Sequence, residues 1–191
     1  GNTFTDNTVS QSIINLNYAR DSSANALVAN NTVAFSSARE ALLIGPSTDS
    51  PGHLIEGNIF AGMVHASGSE QGGLLRVDDT SSNTVPLVTA RGNALERGGF
   101  QYALLVQDSS SLANGMDFDG NWWGTTSEYA IITEAIFDRL DVSTRVLATY
   151  YPFLVESPAD TAQPALVNTR LPRTTYIDQQ GRLAGFLASD V

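Results

Sequence analysis

The sequence predicts an all-β solenoid, a fold in which short repeated segments stack on one another as rungs. The first observation behind this prediction is a series of regularly spaced asparagines, namely Asn2, Asn31, Asn58, Asn93 and Asn121. Consecutive members of the series are 29, 27, 35 and 28 residues apart. Self-similarity at such a period is typical of solenoids, because one rung cannot bury its apolar face without its neighbours.

Two further observations support strands rather than helices within each period. A large apolar residue follows each asparagine two positions later, in the series Phe4, Val33, Phe60, Leu95 and Trp123. A second apolar block begins at Ser12, Ala41, Gly73 and Ala103. Turn-rich stretches such as DSSAN and GPSTDSPG separate these short apolar segments, and this punctuation favours strands of four to six residues.

The repeat divides the chain into three regions. Residues 1–124 form about four rungs, residues 125–155 form a C-terminal cap, and residues 156–191 form an extended tail or linker that can fold as a hairpin about Gln180 and Gly181. A capping box of Thr125 and Glu128 predicts a capping helix over about residues 127–140. A closing strand follows this helix and ends before Pro152.

The repeat and its end resemble a known group of proteins. Together with the segment GNWWG at residues 120–124, the pattern resembles the right-handed parallel β-helix of pectate lyases, polygalacturonases and bacterial surface proteins. Residues 121–154 are similar to a C-terminal extension of bacterial β-helix-repeat proteins. The resemblance covers about residues 1–155 and implies the fold. It implies no single activity, because the fold carries lyases, hydrolases, epimerases and non-catalytic adhesins.

The recurring asparagines have a structural explanation. Asparagine tolerates the left-handed backbone conformation that a sharp turn between strands requires. Stacked asparagine amides can also form hydrogen bonds from rung to rung. We therefore expect the asparagines to stabilise the stack.

Alignment of the second apolar block predicts two faces, because side chains alternate along a strand. The inward column is predicted to contain Ile14, Leu43, Leu75 and Leu105. The outward column is then Ile13, Leu42, Leu74 and Leu104. An apolar outer stripe of this kind usually binds something, and we expect the chain's own tail or a neighbouring molecule to cover it.

Charged residues form a second candidate binding surface. Glu56, Arg91 and Asp119 precede consecutive ladder asparagines by two positions and are predicted to form a charge ladder. This ladder is either a solvated face of weak ion pairs or a clamp for a sugar acid.

The candidate catalytic residues are Asp78, Asp79 and Asp108, which follow the second block on neighbouring rungs. Paired carboxylates can support glycoside hydrolysis or hold calcium. The segment VDD resembles the paired aspartates of polygalacturonases, but the Gly-His-Gly and Arg-x-Lys motifs of that family are absent. No catalytic residue is therefore favoured, and the chain is not expected to be an enzyme.

The two tryptophans also allow two interpretations. Trp123 is expected to take the last inward position and close the stack. Trp122 and Trp123, beside Tyr150 and Tyr151, could instead form a platform on which sugars stack.

Composition limits the partners of this chain. Its formal charge is −10, its pI is about 4.4, and it has neither cysteine nor lysine, so nucleic acid and anionic membranes are disfavoured. No apolar run approaches the roughly 20 residues of a membrane span. We expect no cofactor and no metal site.

These observations predict a non-catalytic extracellular or cell-surface solenoid that serves assembly or adhesion. If it serves assembly, we expect it to act as a filament-forming subunit. Its expected partners are further copies of itself or flanking solenoid segments, with glycans as another ligand class. The alternatives are a polysaccharide-active lyase or hydrolase, or a fragment of one, and a glycan-binding module.

Overall fold

The predicted solenoid is present. The computed structural model describes residues 1–16, 26–45, 53–66, 72–78, 88–107 and 116–160, and the backbone of two strands at 173–177 and 183–188. In these residues the chain forms a β-solenoid of about four turns, whose stacked sheets are all parallel.

Three sheets run along the solenoid. The first sheet contains β1 (Thr3–Thr5), β4 (Thr32–Ala34), β8 (Ile59–Ala61) and β12 (Ala94–Leu95). The second contains β2 (Ile14–Asn15), β6 (Leu42–Ile44), β10 (Gly73–Val77), β13 (Tyr102–Val106) and β15 (Ile136–Phe137). The third contains β3 (Leu27–Ala29), β7 (His53–Glu56), β11 (Val88–Arg91), β14 (Met116–Asp117) and β16 (Ala148–Thr149).

Two short strand pairs complete the described architecture. Strand β5 (Ser37–Ala38) pairs in parallel with β9 (Val64–His65). In the tail, β17 (Arg173–Ile177) and β18 (Leu183–Ala188) pair antiparallel, which is the hairpin pairing that the tail sequence allows.

The five asparagines form a continuous hydrogen-bonded ladder. The side-chain oxygen of each asparagine from Asn31 to Asn121 accepts bonds from the backbone N–H and the side-chain amide of the asparagine one rung earlier, at 2.8–3.2 Å. Asn58, Asn93 and Asn121 are fully buried. The predicted structural role of the asparagines is therefore confirmed.

The left-handed conformation, however, lies on the residue before each ladder asparagine from Asn31 to Asn121. The backbone φ is +56° at Asn30, +62° at Gly57, +64° at Gly92 and +71° at Gly120. Glycine takes this conformation without the steric cost of a Cβ. The prediction that the ladder asparagines adopt it is wrong, because their side chains hold the ladder instead.

The inward column of the first sheet agrees with the sequence. Val33, Phe60 and Leu95 are fully buried, and the strand register stacks them on Phe4. A bridge between Ala94 and Trp122 extends this register, so that Trp123 follows Leu95 in the column. The Trp123 ring, 3% exposed, packs 6.5 Å from the ring of Phe118.

The second sheet shows that the predicted apolar outer stripe is wrong. Leu42, Leu75 and Leu104 are in register with one another, and all three are fully buried. Leu74 is also fully buried in the core, and Ile13 is half-buried against it.

This error arises because the segments that connect equivalent strands of successive rungs differ in length. The observed register pairs Ile14 with Leu42, which lies 28 residues later. The sequence alignment instead pairs Ile14 with Leu43, which lies 29 residues later. Because side chains alternate, a slip of one residue exchanges the two faces of a strand. Self-association through an outer stripe therefore loses its basis.

The outward column of this sheet is mixed in character. Leu43, Arg76, Leu105 and Phe137 share one register position. The sequence predicts that Leu43 and Leu105 point inward, but in the structure they share the outward column with the charged residue Arg76. Leu105 is nevertheless fully buried.

The cap also departs from its prediction. Helix α1 (Glu128–Ala130) continues as a π-helical turn over Ile131–Ala135 and ends there. Ser127, rather than Thr125, accepts the capping bond, from the Ala130 N–H at 3.3 Å. The following residue, Ile136, pairs with Leu104 and extends the second sheet, so burial overrides the helical pattern after Ala135.

The register of the second sheet can be tested by two adjacent leucines on β6. We expect Leu42→Ala to lower the free energy of unfolding by about 2–5 kcal/mol, because it empties a fully buried position. Leu43→Ala removes the same atoms from a half-buried position and should cost less than half as much. Denaturant titration measures both losses, and a larger loss for Leu43→Ala would contradict the register.

Candidate functional site

A cleft lies between the last rung and the cap. Its volume is about 530 Å³, within the range of roughly 300–1,000 Å³ that is usual for ligand pockets. Three segments line it: Glu96, Arg97 and Gly98; Trp122, Trp123, Gly124 and Thr125; and Ala130, Glu134 and Ala135.

The first wall is the turn that follows β12. The backbone N–H of Glu96 donates to the Phe60 carbonyl at 3.2 Å and fixes the start of the turn. Gly98 has a φ of +56°, and a Cβ at this position would lie 2.4 Å from the Met63 carbonyl oxygen. The shape of this wall therefore depends on a glycine that approaches the preceding rung closely.

The two tryptophans form the second wall. The Trp122 indole N–H donates to Oε1 of Glu96 at 3.3 Å, and the Trp122 side chain is half-buried. Trp123 is almost fully buried, and its indole nitrogen has no acceptor among the described residues. Trp122 therefore supplies an accessible aromatic surface next to a carboxylate.

The third wall belongs to the cap. Nη2 of Arg97 lies 3.5 Å from Oε2 of Glu134, and Nη1 of Arg97 donates to the Glu134 carbonyl at 3.4 Å. The two side chains are 45% and 55% exposed, so this ion pair contributes little stability. It nevertheless links the turn of Glu96 to the cap and places a second carboxylate at the cleft.

A buried aspartate holds the return from the cap to β16. Asp138, 1% exposed, accepts the backbone N–H groups of Leu140 and Ala148, each at 2.8 Å. Burial raises the pKa of Asp138 to about 6, against the lowering effect of these two hydrogen bonds, and the charge of Asp141 raises it further. The sequence pattern carries no signal of this role, because it predicts a helix over this segment.

The structure places the predicted charge ladder on consecutive rungs. Arg91 pairs with Glu56 in register, with 3.4 Å between Nη2 and Oε2, and Asp119 lies one rung further. Arg91 is 63% exposed, so the ion pair is weak. The ladder borders a shallow groove of about 540 Å³ that also includes Pro152 and Leu154.

The three candidate catalytic aspartates do not form a described cluster. Asp79 and Asp108 lie outside the described residues. The carboxylate of Asp78 accepts a hydrogen bond from Nε of Arg76. Asp78 is therefore the partner of an arginine in the structure.

Arg76 belongs to an ion-pair network that the sequence analysis missed. It also contacts Oε1 of Glu40 at 3.3 Å and the side chain of Gln107 at 2.8 Å. Glu40 is 3% exposed and accepts the Ser12 hydroxyl at 2.8 Å. A single arginine inside the apolar block GLLRV was the available signal, because a charge there needs partners.

His53, which starts β7, lies in the core. It is 1% exposed, and its Nδ1 accepts the backbone N–H of Ala26 at 3.2 Å. Burial lowers the pKa of His53, so the neutral ring is favoured. This environment gives His53 a packing role.

Among the described residues, no helix is long and apolar enough to cross a membrane, and no three His, Asp or Glu side chains group to hold a metal ion. No protein-family model, curated protein or solved structure matches the chain.

Asp138 should make stability depend on pH. Its carboxyl ionises near pH 4 when unfolded and near pH 6 when folded, so its stabilising contribution is complete below about pH 4 and is lost as the pH rises to about 6. Between pH 4 and pH 7, wild type should lose about 2 kcal/mol of unfolding free energy relative to Asp138→Asn. Urea titrations of both proteins measure this difference, and a relative gain by wild type would contradict the assignment.

Proposed function

We propose that this chain is a non-catalytic, extracellular or cell-surface solenoid that serves adhesion by binding a glycan in the cleft at Trp122. The observation that carries the proposal is the juxtaposition of Trp122 with Glu96 and of Arg97 with Glu134 around one cleft. Sugar rings combine an apolar face with a rim of hydroxyl groups. An aromatic side chain packs on such a face, and charged groups form strong hydrogen bonds to such a rim.

We also propose a relationship to the right-handed parallel β-helix group whose members carry the NWWG-type C-terminal extension. Two features support it. Trp123 continues the inward column of the first sheet, and the cap adds β15 and β16 to the other two sheets.

Adhesion is preferred over catalysis because the acids near the second sheet are engaged by an arginine. Asp78 and Glu40 both bind Arg76, which leaves no described pair of carboxylates free for general acid and base chemistry at this place. Adhesion is preferred over self-association because the apolar stripe on which self-association depended lies in the core. An acidic chain without cysteine suits an extracellular setting.

The role of Trp122 can be tested by titration with a panel of neutral, amine-bearing and uronate oligosaccharides. We expect wild type to bind at least one of them and Trp122→Ala to weaken that binding tenfold or more, the equivalent of about 1.4 kcal/mol. Trp122→Phe keeps an aromatic ring and should retain most of the affinity.

Tyr129→Ala is the matched control, because Tyr129 is an aromatic residue of the cap that is 52% exposed and lies outside the cleft lining. It should leave binding unchanged. Failure of every oligosaccharide to bind, or equal binding by wild type and Trp122→Ala, would contradict the proposal. Isothermal titration calorimetry supplies the affinities, and circular dichroism checks that each variant is folded.

A further inference from the structure

The cleft at Trp122 carries an excess of negative charge. Glu96 and Glu134 contribute two carboxylates, and Arg97 contributes one guanidinium. That guanidinium lies against Glu134, 3.5 Å from Oε2, so the positive and negative charges on the cap side offset each other. The remaining charge belongs to Glu96, next to Trp122.

Glu96 has no cationic partner among the described residues. Its described side-chain contact is with the indole N–H of Trp122, at 3.3 Å, and its side chain is half-buried. A carboxylate without a counter-ion at the wall of a cleft attracts cations into that cleft.

The neighbouring indole adds to the attraction for a cation. An ammonium group over the face of tryptophan is attracted by the negative face of the ring quadrupole. The hydrogen bond from Trp122 to Glu96 places the carboxylate at the ring edge, so one ligand group can contact both. The net charge of −10 on the chain also attracts cations towards its surface and repels polyanions.

We infer that the cleft selects a glycan that bears a protonated amino group, with Glu96 as the counter-ion and Trp122 as the stacking surface. This inference rests on the proposed glycan-binding function and specifies its ligand class. It requires a charge-assisted hydrogen bond in which an ammonium group of the sugar donates to the Glu96 carboxylate.

The test compares two forms of one oligosaccharide. A tetrasaccharide of glucosamine carries free amines, and its fully N-acetylated counterpart has the same backbone without the charges. In mildly acidic buffer we expect wild type to bind the amine form at least tenfold more tightly. In Glu96→Gln, which keeps an oxygen for the Trp122 N–H, this ratio should fall close to one.

Glu156→Gln is the control substitution, because Glu156 is an exposed carboxylate outside the cleft lining, and it should keep the preference. Equal binding of the two sugars to wild type, or an unchanged ratio in Glu96→Gln, overturns the inference while leaving glycan binding intact. Binding of neither sugar, nor of any other oligosaccharide, overturns the proposed function and the inference together.

A lysine-rich peptide provides a third arm. Tighter binding of this peptide than of the amino sugar, lost in Glu96→Gln, would assign the cation to a protein partner and overturn the glycan assignment. Weak binding of the peptide, beside tight binding of the amino sugar, supports the inference.

Discussion

The hydrogen bonds between buried asparagines are the interaction on which the rest of this fold depends. Each ladder oxygen from Asn31 to Asn121 accepts two N–H groups of the preceding rung. The amides of Asn58 and Asn93 also donate to backbone carbonyls at the same corner. Because buried polar groups are costly when unpaired, shifting one rung against the next would break several bonds together. The ladder therefore fixes the register of the first sheet.

The end of the ladder also explains why a cleft lies beside Trp122. The cap adds β15 to the second sheet and β16 to the third. Next to β12 of the first sheet, the described residues contain the bridge between Ala94 and Trp122 and no further strand. The chain turns into helix α1 directly afterwards. The cap thus covers the second and third sheets and leaves a concave space at the end of the first sheet, with an aromatic residue on one wall.

The sequence predicted the features that depend on the asparagine spacing. It did not predict the register of the second sheet, which depends on the lengths of the segments between strands. The spacing of Asn2 to Asn121 was sufficient for the fold and for the inward column that ends at Trp123. It could not reveal the one-residue difference that places Leu42 in the core, because both alignments put an apolar residue at every inward position. The cleft was not predictable for a different reason. Glu96 and Glu134 both line it because the cap packs against the last rung, where Arg97 contacts Glu134 and β15 joins the second sheet.

The stability of Asn58→Ala, a change at the centre of the ladder, measures how strongly the fold depends on the asparagine hydrogen bonds. The substitution removes the side-chain N–H groups that donate to the backbone carbonyls of Val28 and Glu56 and to the side-chain oxygen of Asn93. It also removes the side-chain oxygen that accepts the backbone and side-chain N–H groups of Asn31. At about 1–3 kcal/mol for each unpaired buried group, denaturant titration should show a loss of about 3 kcal/mol or more. Asn7→Ala, at a half-buried asparagine outside the ladder, should cost about 1 kcal/mol or less. Small and equal losses for the two variants would contradict the central role of the ladder.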